Sequence, residues 1–371
     1  MNIKSFSYID DLKKNYSSIL KSINKVLYSG SLILGPEVEK FEKNFSNFIG
    51  TKYGVGVGNC TDAIYIALKA LNIKKGDEVI CPNLTWISPA NAISLSGAKL
   101  VLIDTDQTWN LNPDLLEKKI TKKTKCIMVV HAFGHPANMN KIVRIAKKYN
   151  LKIIEDTAEA IGSKYKDRYA GTIGDISCFS FFGNKVFTSG EGGALLFKNK
   201  KDYQNALIKR DHGISKKIKY KCIVRGFNYR MTNLQAAILL AQFEKFSSVI
   251  NTRNKIKKLY ENKLKKIKHI GLMPKEKWSE VVIWLMTIIL PKNISRKKFI
   301  NFMLQNNVEC RPMINSVANA EHFKYMASKD LAISEAICRS AVHLPSSSNL
   351  NKKDINVVSD LVMKYINKHT K

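Results

Sequence analysis

The chain of 371 residues is longer than one hydrophobic core ordinarily serves, so two domains are expected, and a hydrophobic content of 45% is enough to fill both. Its 61 Lys and Arg against 30 Asp and Glu give a net charge of +31, yet the basic residues are spread along the whole chain and no nucleic-acid-binding motif accompanies clusters such as Lys118-Lys119, Lys122-Lys123-Thr124-Lys125 and Lys255 to Lys268, so a solvated basic surface is expected, with neither nucleic acid nor membrane as partner. The first twenty residues are polar and unlike a signal peptide, the apolar run Val281 to Leu290 falls well short of the roughly 20 residues that span a bilayer, and the seven cysteines contain no C-x-x-C pair, which together suggest a reducing cytoplasm.

Leu34-Gly35-Pro36 marks a turn, after which Val38, Phe41, Phe45 and Phe48 recur at helical spacing between Glu37 and Ile49. Tyr53 to Val57 has the character of a strand, and Ala63 to Leu71 that of a helix. Strand character returns at Asp77 to Pro82, Lys99 to Ile103, Cys126 to His131, Lys152 to Glu155 and Ile176 to Phe182, with helices expected over Ile87 to Leu95 and Ile142 to Lys148. This alternation predicts an α/β architecture with a mainly parallel sheet over residues 1–242. From 243 the pattern changes to a long basic helix around Arg253 to Lys266, a buried strand at 281–290, a helix over Arg296 to Gln305 and a segment at Val308 to Pro312. Residues 243–371 therefore read as a connecting helix and a smaller α+β domain.

Lys185 is set between an expected apolar strand ending in Ser180 and the glycines 183, 190, 192 and 193. A stiff strand on one side and room for close approach on the other would desolvate the amine and free it as a nucleophile, and carbonyl chemistry with pyridoxal phosphate (PLP) is its natural use. Gly58-Asn59-Cys60-Thr61-Asp62 joins a strand to a helix, where free backbone N–H groups and the Thr61 hydroxyl would hold a phosphate; a helix cap uses the same residue types. Asp156 ends another strand, where it would keep a pyridine nitrogen protonated or else cap a helix over Ala158 to Gly162. His131 and His135 have the i, i+4 spacing of a metal pair, but Gly134 and Pro136 oppose a helix there, so no metal is expected. Arg311 and Arg230 are candidate carboxylate or diphosphate ligands, each with a surface ion pair as the alternative.

Five segments occur in an order that resembles the DegT/DnrJ/EryC1/StrS sugar aminotransferases, and most of all their GDP-perosamine synthase branch. They are Gly58-Asn-Cys-Thr-Asp-Ala63, Pro82-Asn-Leu-Thr-Trp-Ile-Ser-Pro-Ala-Asn91, Glu155-Asp-Thr-Ala-Glu-Ala160, Phe179-Ser-Phe-Phe-Gly-Asn-Lys185 and Gly226-Phe-Asn-Tyr-Arg-Met-Thr-Asn233. The resemblance implies an aspartate-aminotransferase-like PLP fold of type I, with a seven-stranded-type sheet, working as a homodimer that moves the amino group of L-glutamate to a nucleotide-linked keto sugar. It further implies that Lys185 would bond the cofactor and carry the reaction's proton, that Asp156 would pair with the pyridine nitrogen and that Trp86 would stack on the ring. Glu159 would lie near the phenolic oxygen or the sugar, Ser180 with Cys60 and Thr61 would hold the phosphate, and Asn228 would reach that phosphate from the partner subunit.

Three positions depart from the family pattern. Cys60 stands where many relatives have Gly, Tyr220-Lys-Cys-Ile-Val-Arg225 replaces a Tyr-Trp-His stretch common in the perosamine branch, and Ala318 replaces a histidine beyond Arg311-Pro312. Leu32-Ile-Leu-Gly-Pro-Glu-Val38 resembles instead the opening of several 3-aminotransferases. Family members with His at the lysine position are sugar 3-dehydratases, and Lys185 opposes that reading.

Overall fold

The computed structural model describes residues 2–6, 9–215 and 217–370. Seven strands, β1 (Tyr53–Val57), β2 (Glu78–Pro82), β3 (Lys99–Ile103), β4 (Thr124–Val130), β5 (Lys152–Asp156), β6 (Ile176–Ser180) and β7 (Gly193–Phe197), form one sheet in the order β1-β7-β6-β5-β4-β2-β3. Strand β7 runs antiparallel to both neighbours, and every other pairing is parallel. Alternate residues feed two cores: Val79 and Cys81 pack on one face with Ile154 and Cys178, while Ile80 packs on the other with Ile127 and Ile153. Covering both faces explains why these strands are near-continuous apolar runs.

Helix α1 (Ile9–Ser29) occupies most of the polar opening, which carried no helix expectation, and α2 (Pro36–Ile49) begins on its proline. Helix α3 (Cys60–Ala70) starts earlier than Ala63 because the Asn59 side chain accepts from the Asp62 N–H at 2.9 Å and caps it. Helix α4 (Ile87–Leu95) follows β2 as expected.

A second, antiparallel sheet takes its strands in the order Gly271–Leu272, Met286–Ile289, Ala341–Leu344 and Arg311–Pro312. It packs with α5 (Phe246–Leu264), through Ile256, Tyr260 and Leu264, around a core that includes Phe299, Met303, Val342 and Val358. The N-terminal residues join this second unit, since Ile3 bridges Val308 and its N–H donates to Asn307 O at 2.8 Å. The run 281–290, expected as one buried strand, enters the ladder only at Met286–Ile289. Its first half is buried but bonded elsewhere, with Val282 N donating to Ser163 Oγ at 2.9 Å, and at the start of the ladder Met286 N donates to Ser346 Oγ at 2.7 Å. Hydroxyl side chains replace a strand partner there. All seven cysteines are free, and among the described residues no helix is long and apolar enough to cross a membrane.

Candidate active site

The carboxyl ends of β1, β2, β5 and β6 converge on one crevice, as open α/β sheets dictate. Asp156, the last residue of β5, is only 6% exposed, and its Oδ1 accepts from the Ala158 N–H at 3.0 Å. Residues 158–162 form turns, so the helix-cap alternative is gone. Burial pushes the Asp156 carboxyl up, against the Ala158 N–H and the charge of Lys185. A buried carboxylate held by so little favours a cationic partner.

Lys185 follows β6 in a turn closed by its own N–H on Phe182 O at 2.9 Å. Its side chain is 11% exposed, with Nζ 3.8 Å from Glu159 Oε1 and 3.7 Å from the centroid of the Trp284 ring. The other oxygen of Glu159 accepts from Phe133 N at 2.8 Å, and burial raises that carboxyl while Lys185 opposes the rise.

The turn between β1 and α3 supplies a cradle of donors. The N–H groups of Cys60 and Thr61 have no acceptor among the described residues, and both point from the positive end of a capped helix. Thr61 Oγ1 donates to Ser88 Oγ at 3.0 Å, and Ser180 Oγ, at the end of β6, accepts from Phe182 N at 3.3 Å. Gly193 forms the floor: a Cβ there would lie 2.5 Å from the carbonyl of Asn59 and 2.8 Å from Cys60 N. The Cys60 thiol, pushed well up by burial and then by Asp156, stays neutral, so this residue offers its backbone rather than its sulfur. Trp86 occupies the N-cap position of α4 without a side-chain capping bond and is 58% exposed. Phosphate donors over a glycine floor, a buried carboxylate lacking a cation and a sequestered lysine fit the three polar ends of PLP.

The segment after Gly226 lies along the β1–α3 turn of its own chain, with Gly58 N donating to Tyr229 O at 3.0 Å and Arg230 bridging Val57. Asn228 Oδ1 accepts from Arg230 Nη2 at 2.7 Å, and Arg230 also reaches Asp211 Oδ1 at 2.9 Å. Arg311 is exposed on its strand, 3.6 Å from Glu309, and no contact joins it to Asp156, Glu159 or Lys185. His131 and His135 diverge. His131 Nε2 meets Glu155 Oε2 at 2.9 Å, whereas His135 Nδ1 lies 2.8 Å from Pro136 O, and no metal-holding cluster occurs among the described residues. Trp284 and Gly193 are the contributors that sequence reasoning missed. Gly193 stood in the glycine-rich frame of Lys185 without a role, and Trp284, one hundred residues beyond Asn184, carried no local signal at all.

Residues 14–363 match the model of the DegT/DnrJ/EryC1/StrS aminotransferase family. The chain belongs to that family. A GDP-perosamine synthase of Escherichia coli O157:H7 is 37% identical over 332 residues, covering 89% of this chain and 90% of its own. A dTDP-3-amino-3,6-dideoxy-alpha-D-galactopyranose transaminase of Aneurinibacillus thermoaerophilus is 34% identical over 94% of this chain and 95% of its own. Among solved structures, S. venezuelae DesV superposes with a TM-score of 0.94 at 28% identity, covering 98% of both chains. As a DegT/DnrJ/EryC1/StrS aminotransferase, the protein is a PLP-dependent transaminase with the fold-type-I architecture.

Proposed function

We propose that this transaminase moves the amino group of L-glutamate to C4 of a nucleotide-linked 4-keto-6-deoxy sugar, as a cytoplasmic homodimer serving surface-glycan or natural-product assembly. The observation that carries the reading is similarity to three GDP-perosamine synthases at 32% to 37% identity, each over 88% to 90% of this chain. A 3-keto sugar is the second reading, supported by the transaminase relative named for a 3-amino sugar.

In this reading Cys60 N, Thr61 N, the Thr61 hydroxyl and Ser180 hold the cofactor's phosphate, with Asn228 contributed across the dimer. Trp86 covers one face of the ring. Asp156 keeps a proton on the pyridine nitrogen, and that cation in turn offsets the burial of its carboxylate. PLP, when bound, supplies an electron sink conjugated to the reacting carbon. Lys185 Nζ takes the proton from the donor's α-carbon and later delivers one to the sugar's reacting carbon, while Glu159 holds the amine close. Arg230 and Arg311 bind substrate anions, which for Arg230 means exchanging its present partners. The division at 242/243 into a large cofactor-binding unit and a smaller one belongs to the same proposal, supported by the separate core around α5, although Ile3 also packs into that core.

The test incubates purified protein, PLP and L-glutamate with GDP-, dTDP- and UDP-linked keto sugars and locates the new amine by NMR. An amine at C4 and complete loss of turnover in Lys185→Ala are expected. An amine at C3 moves the assignment to the second reading, and full turnover by Lys185→Ala overturns the mechanism.

A further inference from the structure

We infer that Trp284 is a positioning residue for the amine of Lys185, an inference that rests on the role proposed for that lysine. Among the described residues two side-chain groups stand close to Lys185 Nζ: the Glu159 carboxylate at 3.8 Å, beyond hydrogen-bond length, and the face of the Trp284 indole at 3.7 Å from its centroid. A cation over a desolvated indole is attracted without being committed to one direction, so the amine is located yet free to turn.

The ring itself is fixed from three sides. Its Nε1–H donates to the carbonyl of Asn184, the residue just before the lysine, at 2.7 Å, which ties the indole to the same turn that carries the amine. Its backbone carbonyl accepts from Arg253 Nη1 at 3.4 Å. The Phe133 ring lies parallel to the indole within 3°, centroids 6.4 Å apart. Phe133 closes the circuit, because its N–H holds Glu159 in place. Its turn is pressed against the run 281–285 so tightly that a Cβ on Gly134 would lie 2.2 Å from Val282 O. Glu159 and Trp284 thus flank the amine while Phe133 and Asn184 hold those two in place, and Trp284 is the member that arrives from the run 281–285, outside the large sheet.

The test is a double-mutant cycle on the full-length protein, using Lys185→Met and Trp284→Met singly and together and reading the unfolding equilibrium in urea. Trp284→Leu serves as a second non-aromatic variant should Trp284→Met not fold. A coupling of about 3- to 30-fold in the equilibrium constant is expected between the two sites. Trp284→Phe, which keeps a ring face and loses the N–H, should retain kcat within about 3-fold, whereas Trp284→Met should lower kcat about 3- to 30-fold with KM for L-glutamate little changed. A coupling indistinguishable from none, or equal damage from Phe and Met, overturns the inference. Full turnover by Lys185→Ala would overturn the reading of the lysine and this inference with it, whereas absent coupling in a protein whose Lys185→Ala variant is dead overturns this inference alone.

Discussion

Gly193→Ala should disable cofactor binding through one methyl group. The backbone at Gly193 lies outside the left-handed region, so alanine meets no conformational strain there and the effect is purely steric. The new Cβ would sit 2.5 Å from the Asn59 carbonyl and 2.8 Å from Cys60 N, where carbon contacts are comfortable at about 3.5–4.0 Å, so the turn must retreat by about 1 Å. Neither side yields easily. Gly193 is paired with Ser180 on one edge and Val57 on the other, while Asn59 is locked as the cap of α3. Overpacking of this kind costs about 1–3 kcal/mol of stability. The same displacement carries the Cys60 and Thr61 N–H groups away from the phosphate they are proposed to hold, and losing one such charge-assisted hydrogen bond should weaken PLP affinity about 10- to 100-fold. Urea unfolding reads the first effect, and titration of the visible absorbance of lysine-bound PLP reads the second. Unfolding at a lower urea concentration with unchanged PLP affinity would refute the placement of the phosphate, and no change in either would refute the packing argument itself.

Glu155→Gln should cost about 1.5–3 kcal/mol near pH 7, because the buried carboxylate accepts from His131 Nε2 at 2.9 Å and from the N–H groups of Gly171, Ile173 and Gly174. Burial alone would raise this carboxyl, but those donors outweigh it and hold it below its ordinary value. Its stabilisation is therefore complete above the unfolded value of about 4.3 and is lost as pH falls through the lower folded one, so the gap between wild type and variant, measured by denaturation, should narrow in acid; a gap that widens there contradicts the sign. Asp62 is pushed up to about 6 by burial and then by Glu191. A raised carboxyl penalises folding above its folded value and not below its unfolded one, so Asp62→Asn should gain stability at pH 8 and nothing near pH 4. With the group only partly buried, about 1 kcal/mol is expected after screening, and equal gains at both pH values would rule this out. If Asn228 serves the partner's site, mixing inactive Asn228→Ala and Lys185→Ala proteins should restore turnover in hybrid dimers; mixtures that stay dead would place Asn228 elsewhere.

Much of the site was legible because its parts sit at strand ends that announce themselves locally. Asp156 closes the apolar run Ile153-Ile154, Lys185 follows Phe179 to Phe182, and the Asn59 cap separates β1 from α3, each within a window of a few residues. What stayed hidden depends on tertiary contact. His131 offered a metal-like spacing to His135, whereas its partner is Glu155, a strand away, and its Nδ1 is occupied by the Ala137 N–H at 3.0 Å. The apolar run 281–290 was right about burial throughout and about strand bonding only from Met286, since before it the Val282 N–H goes to Ser163 rather than to a strand partner. The polar face of α1 concealed a helix that its length of 21 residues makes substantial. Asn228 and Arg311 show the other limit: their types suit anions, yet each is occupied by a neighbour from its own chain.

The position of β7 shapes how the protein must be made. It lies between β1 and β6, so the first strand of the sheet finds its neighbour only when residues 193–197 arrive, some 140 positions later. Until then β1 is an unpaired edge, and the donors at Cys60 and Thr61 have no floor beneath them. During synthesis at about 5–20 residues per second this edge stays open for many seconds, a window in which it can pair with another chain. A ligand that needs Cys60, Ser180 and Gly193 together would recognise only chains that have passed this stage, so supplying PLP early in refolding should leave the rate of sheet closure unchanged and suppress only the reopening that follows.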